Sequence, residues 1–355
     1  MATSLRSGSI HASWLMVLGI AASALAQQGE GQKNAGGSSF HVAQTFKVGG
    51  EGGWDYITVD PSSKLLYVPR STHTLVLEAA TGKTVADIPG QQRNHGVAIA
   101  PTTGRGFISD GKDGSVTIFD LKSNKVLGKV KAAQDADAII FDPASGMVFV
   151  GCGDAGVLVP IAADVDPANG KAGPPIALEG KPEGMAADGK GRVYVNLEDK
   201  DKVAVVDTKA LKVTDRWAVS PGGAPVGLGM DREHGRLFVG CRKPQKLVVM
   251  NSADGKVLAD LPIGAGVDAA RFDNGLAFAS CRDGTLAVAG EVAPGKFEIV
   301  QTVKTQAGAR TMDVDPITHS IYLPTAEFEP AKDANSRPTP KPDSFVVLVI
   351  QPEGK

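Results

Sequence analysis

Residues 192–207 read RVYVNLEDKDKVAVVD. Two apolar runs, RVYVNL (192–197) and KVAVVD (202–207), flank a charged turn, and the second alternates with the period of two that a β-strand requires. The first run recurs along the chain as LLYVPR, RGFISD, MVFVGC, RLFVGC, LAFASC and SIYLPT, which keeps Tyr67, Phe107, Phe149, Tyr194, Phe238, Phe278 and Tyr322 in register. A short strand precedes each run and closes on Asp60, Ala100, Asp142, Asp188, Asp231, Asp273 or Asp315. These anchors are 40, 42, 46, 43, 42 and 42 residues apart. Turn signals such as ATGK (80–83) and ADGK (253–256) separate a third strand from a fourth. A unit of four strands repeated seven times at this period predicts an all-β, seven-bladed β-propeller with four-stranded antiparallel blades.

The ends of the repeat predict how the ring closes. The seventh unit supplies three strands, the last being SFVVLVI (344–350), while FHVAQTFKV (40–48) precedes the first unit and looks like the fourth strand FEIVQTVKT (297–305). Pairing the N-terminal strand with blade seven leaves no open edge, giving a single domain over 40–351. Helical periods between strands, which a TIM barrel or a doubly wound sheet would need, are missing from the sequence. Many of the 43 Gly residues fall in the recurrent hairpins, and several of the 22 Pro residues in one irregular loop.

These blades resemble the YVTN-repeat β-propellers of bacterial and archaeal cell envelopes, a WD40-like architecture, over about residues 40–350. Tyr194-Val195-Asn196-Leu197 comes nearest to the tetrapeptide, and the other blades keep the aromatic and the apolar residue after it. The resemblance implies the seven-bladed fold and an extracytoplasmic site. It implies no single function, because related propellers include surface proteins, nucleic-acid binders and enzyme components.

The first 26 residues read as a signal peptide. Arg6 precedes an apolar stretch from Trp14 to Leu25, and Ala24-Leu25-Ala26 supplies the small-x-small site for cleavage after Ala26. Residues 27–39, QQGEGQKNAGGSS, read as a flexible leader. Location is therefore expected to be periplasmic or secreted, with no later stretch apolar enough to span a membrane. A net charge of −2 and 5% aromatics give no attraction to nucleic acid or acidic lipid. A monomer is expected.

Chemistry is sought where the first strands line the channel. Five residues before each anchor stand Asp55, His95, Asp137, Glu183, Val226, Asp268 and Arg310, a ring that is polar in all but one blade. The next positions of like parity, Ile57, Val97, Ile139, Met185, Leu228, Ala270 and Met312, form an apolar layer beneath it. The ring reads as a ligand-binding site, with Asp55, His95, Asp137, Glu183 and Asp268 as metal candidates for a divalent cation such as calcium or magnesium. Loops on the same face add Arg70, His73, Asp110, Asp154, Arg242 and Arg282. Two histidines with carboxylates there also suit zinc or iron. HExxH, GxSxG and paired CxxC are all missing. The first reading is thus a non-catalytic module for a small ligand or an envelope protein, and the alternative is a metal-dependent hydrolase or lyase using the acidic/His ring. His234 and His319 fall on the opposite face. The long 324–343 loop, with four prolines from Pro330 to Pro342, is read either as a lid or docking arm on the ring's face or as a floppy insertion. Cys152, Cys241 and Cys281 share one register three residues after the aromatic. Adjacent blades are about 10 Å apart, so the three read as buried fillers, with a Cys241–Cys281 bridge as the alternative.

Overall fold

A computed structural model describes residues 39–330 and 338–354. The signal peptide and all but the last residue of the leader lie outside the described residues. Seven antiparallel sheets of four strands each form a seven-bladed β-propeller. Blade four shows the pattern, with strands Pro182–Ala187, Arg192–Leu197, Lys202–Asp207 and Lys212–Ala218 hydrogen-bonded in sequence order. In blade seven Asp313–Val314, Ile321–Thr325 and Val346–Pro352 are completed by Phe40–Lys47, which pairs antiparallel with Val346–Pro352. No helix among the described residues is long and apolar enough to cross a membrane.

The recurrent aspartates act through turn chemistry. Asp60 accepts from the backbone N–H of Ser62 at 3.0 Å and from the Ser62 and Ser63 hydroxyls. Asp142, Asp231 and Asp315 make the same i+2 or i+3 bonds. A short carboxylate bonding its own turn fixes the reversal between first and second strand, which is why the anchor recurs. Blade six uses Asn274-Gly275 instead, both with positive φ (46° and 82°), in a tight hairpin.

The core is seven apolar clusters, one at each interface between neighbouring blades. The register aromatics are all buried and tie each blade to the next. Tyr194 donates to Ser252 O of blade five at 2.8 Å, Tyr322 to Ala79 O of blade one at 3.1 Å, and Tyr67 to Asn124 Oδ1 of blade two at 3.4 Å. At the closing seam, Gln301 brackets Phe40 by accepting from its N–H and donating to its carbonyl, both at 2.8 Å, while the Phe40 ring packs edge-on to Phe278 at 5.2 Å.

Candidate functional site

The inner strands of blades two to six each carry a register shift next to the second strand, at Asn94/Val97, Ala136/Ile139, Pro182/Met185, Pro225/Gly227 and Val267/Ala269. His95, Asp137, Glu183, Val226 and Asp268 sit inside those shifts. An irregularity of this kind bends the strand and re-aims its side chain, so the polar ring stands where each inner strand departs from regular pairing. Asp55 and Arg310 lie just ahead of the short inner strands Thr58–Asp60 and Asp313–Val314.

The structure brings three members into one cluster. His95 Nδ1 is 2.8 Å from Asp55 Oδ2 and 3.5 Å from Asp137 Oδ1, and one ligand atom from each residue lies within 4.8 Å of the others. All three side chains are less than a fifth exposed. A carboxylate can only accept, so Nδ1 carries the proton in the Asp55 bond, leaving Asp137 Oδ1 buried with no hydrogen bond. From Asp55 the contacts continue to Arg310 at 3.3 Å, which also pairs with Asp268. Arg242 pairs with Asp268 and with Glu198 at 2.9 Å. Lys181 then joins Glu198 at 3.2 Å to Glu183 at 2.9 Å. Arg93 and Asp135 form a further pair beside the cluster. Six carboxylates thus face four cations and one imidazole.

Burial and neighbours set the protonation. Burial pushes the Asp137 carboxyl up to about 7, with Asp55 and Glu183 adding to the rise and His95 opposing it. Burial also works to raise Asp55, but the His95 hydrogen bond and the Arg310 charge hold it below the ordinary carboxylate range. For His95, burial works downward and the Asp55 hydrogen bond and both carboxylates more than reverse it, so the imidazole sits above its ordinary value. Burial raises Glu183 against the pull of Lys181. Glu198 is held low by Lys181 and Arg242 despite its burial.

The same-face loop residues divide by one step of register. Arg70 and Asp110 stand three residues after the aromatic, in the row that also holds Cys152, Leu197, Cys241, Cys281 and Thr325, and the whole row is buried. Arg70 does not face the mouth. Its guanidinium donates to the carbonyls of Gly49, Gly50, Glu51 and Gly52 at 2.8–3.1 Å and stacks 3.8 Å from the Phe345 ring centroid. Burial lowers its pKa to about 10. Asp110 is held inside blade two by Thr117 at 2.7 Å and Lys129 at 3.0 Å, and burial raises its carboxyl. Arg242, Arg282 and Glu198 occupy the following position, where a strand side chain points the other way. Arg242 joins the circuit and Arg282 is exposed. His73, half-buried, contacts Thr72 Oγ1 at 3.1 Å. Asp154 is exposed, 3.4 Å from Gln134 Nε2. On the opposite face His234 and His319 are held by Asp231 at 2.8 Å and Asp273 at 2.7 Å.

Sequence reasoning did not find Lys181, Glu198, Arg93, Asp135 or Tyr56. Glu198 was recoverable because it shares the register of Arg242, while Arg93, Asp135 and Lys181 each stand two residues before a ring member. Tyr56 belongs to blade one but packs against the apolar cluster shared by blades three and four. Burial and the charges of Asp137, Glu183 and Asp55 hold its phenol well above the ordinary range, so it stays neutral. Tyr56 also lines a cavity of about 360 Å³ whose walls include the apolar layer residues Val97, Ile139, Met185 and Leu228, and which does not reach the ring. It therefore forms the floor of the polar mouth.

The stem of the 324–343 loop pairs Phe328 with Pro340, and Phe328 rests on Trp54, ring centroids 6.0 Å apart, beside Asp55. Residues 331–337 of that loop lie outside the described residues. The three cysteines are free and buried, each thiol donating to the carbonyl two residues earlier, and burial raises Cys152 to about 11 and the other two to about 12. Comparison with protein-family models and with curated proteins returns no match.

Proposed function

We propose that this propeller is a binding module that takes a divalent cation at its channel mouth through Asp55, His95 and Asp137. The observation that carries the reading is Asp137: a buried carboxyl, raised to about 7, with an oxygen lacking any hydrogen bond, beside a second carboxylate and an imidazole. A bound cation would hold Asp137 ionised and take the His95 Nδ1 lone pair in place of its proton. Two carboxylates with one nitrogen donor suit manganese or zinc better than calcium or magnesium, which prefer oxygen alone. The surrounding cations Arg242, Arg310 and Lys181 would then meet an anionic ligand or an acidic patch of an envelope protein.

Calorimetric titration of the purified chain at pH 8 with manganese, zinc, calcium and magnesium tests this, with thermal melts in parallel. One equivalent should bind, and at 100 times its dissociation constant it should stabilise the fold by about 2.7 kcal/mol. Asp137→Asn and His95→Ala should each weaken binding at least tenfold. If no cation binds, or if both variants bind as the parent does, the reading fails.

The wider setting is proposed from the sequence: an envelope propeller of the YVTN-repeat type, periplasmic or secreted as a monomer, with the 324–343 loop as a docking arm. The alternative as a metal-dependent hydrolase or lyase uses the same three residues, and what favours it is a carboxyl titrating near neutrality next to an imidazole. Turnover of ester or phosphoester substrates by the manganese- or zinc-loaded chain, lost in Asp137→Asn, would distinguish it from binding alone.

A further inference from the structure

Beneath Tyr56 the channel opens into the cavity of about 360 Å³, within the usual size range of small-molecule sites. Its walls are the inner-strand side chains below the ring, among them Val97, Ile99, Ile139, Phe141, Leu228 and Met230. Its far end reaches Arg232, Arg271 and Asp313 at the face opposite the acidic ring. Arg232 is exposed in the turn between Pro225–Asp231 and Arg236–Arg242, and its Nε donates to Ala187 O at 2.8 Å. That bond orients the guanidinium and leaves its two terminal nitrogens with no partner among the described residues. Arg271 is committed, donating to Asp313 at 2.8 Å and to Ala270 O at 2.9 Å. Asp313 is held in turn by the Val59 N–H at 2.9 Å. The rim therefore offers one guanidinium with free terminal N–H donors.

We infer that this lower cavity is a binding site, separate from the channel mouth, for a small amphipathic monoanion: an aliphatic or aromatic carboxylate whose apolar body fills the cavity and whose charged group meets Arg232. A cavity of this volume equals about twelve waters of liquid, enough for a body of roughly ten heavy atoms. The lining is more apolar than polar, so a hydrocarbon chain that displaces water from its side chains is held by the hydrophobic effect. A planar guanidinium anchored through Nε presents the paired terminal N–H groups that a carboxylate accepts in bidentate fashion. Glu233, the next residue in the turn, lines a different cleft between blades five and six.

Calorimetric titration of the purified chain with sodium octanoate, and with 1-octanol as its uncharged counterpart, tests the inference. One octanoate should bind per chain, at least ten times more tightly than octanol. Arg232→Met should weaken octanoate at least tenfold and leave octanol unchanged, whereas Met230→Trp, which fills the cavity, should weaken both. Arg232 is an exposed rim residue, so its variant serves even if the cavity-filling one does not fold. The inference is overturned if octanoate gives no binding at millimolar concentration, if octanol binds equally well, or if Arg232→Met binds octanoate as the parent does.

Discussion

Replacing Asp137 by Asn should stabilise the protein at pH 8 and do little at pH 4. The carboxyl rises from an ordinary 3.8 to about 7 because burial disfavours its charged form. Between those values the folded state holds a proton that the unfolded chain has lost. Stability therefore falls as pH rises from about 4 to 7 and levels off above. Three pH units at 1.36 kcal/mol each make the cost of ionising Asp137 at pH 8 about 4 kcal/mol. His95 acts in the same direction, because its folded value is raised: its stabilisation is complete below about 6.5 and is lost as pH climbs through the folded value. Asp55 is lowered, so its contribution is present above 3.8 and lost only in acid, outside this window. Asn has nearly the shape of the protonated acid and carries no charge. The variant should therefore match the parent within about 1 kcal/mol at pH 4 and exceed it by about 2–4 kcal/mol at pH 8.

The assay is urea unfolding, followed by far-UV circular dichroism, of both proteins at the two pH values in EDTA. A substitution effect that is the same at both pH values would refute the electrostatic account, and so would a loss of stability at pH 8. Adding manganese at pH 8 then ties the result to function. The cation should raise the parent's midpoint and leave the variant where it was.

Gln301→Ala removes both bonds that bracket Phe40 and should lower stability by about 1–3 kcal/mol, read from the urea midpoint, with cleavage by protease beginning at the 40–47 strand. Arg70→Met leaves four carbonyls without their common donor and should cost about 2–5 kcal/mol by the same measurement while leaving cation affinity at the mouth unchanged. With thiols raised to about 11–12 and buried, Ellman's reagent should label none of the three cysteines in the native protein and all three in urea. A fast-reacting native thiol would count against their role as packing.

The architecture was legible because it is written seven times. Turn carboxylates, register aromatics and strand alternation each recur at the same interval, and a local rule repeated in register becomes a global one. The candidate site was legible only in part. Counting back from the anchors located the ring, since every inner strand ends in an equivalent turn. The sequence places Arg70 and Asp110 at the mouth because they end their strands, but they share a row with the buried cysteines, and one residue of register separates a channel face from a blade interior. Lys181 and Glu198 could have been added from that same register. Tyr56 could not, because only the assembled ring shows a side chain of blade one reaching blades three and four.

The repeat fixes where the side chains stand, and its departures determine what chemistry they offer. Blade five is the clearest case. A Cβ at Gly227 would lie 2.5 Å from the Ala269–Ala270 backbone of blade six, so the two inner strands touch there, and the adjacent Val226 is fully buried. No ionisable ring residue is available in that sector, and the ion-pair circuit runs outside it from Glu198 through Arg242 to Asp268. On the other side of the ring Asp55, His95 and Asp137 converge with Arg310 reaching only Asp55, so Asp137 is left without a cation. Tyr56, neutral and partly buried, separates that acidic cluster from the cavity ending at Arg232. One channel is therefore divided by a single phenol into a charged mouth and a cavity whose rim carries a guanidinium.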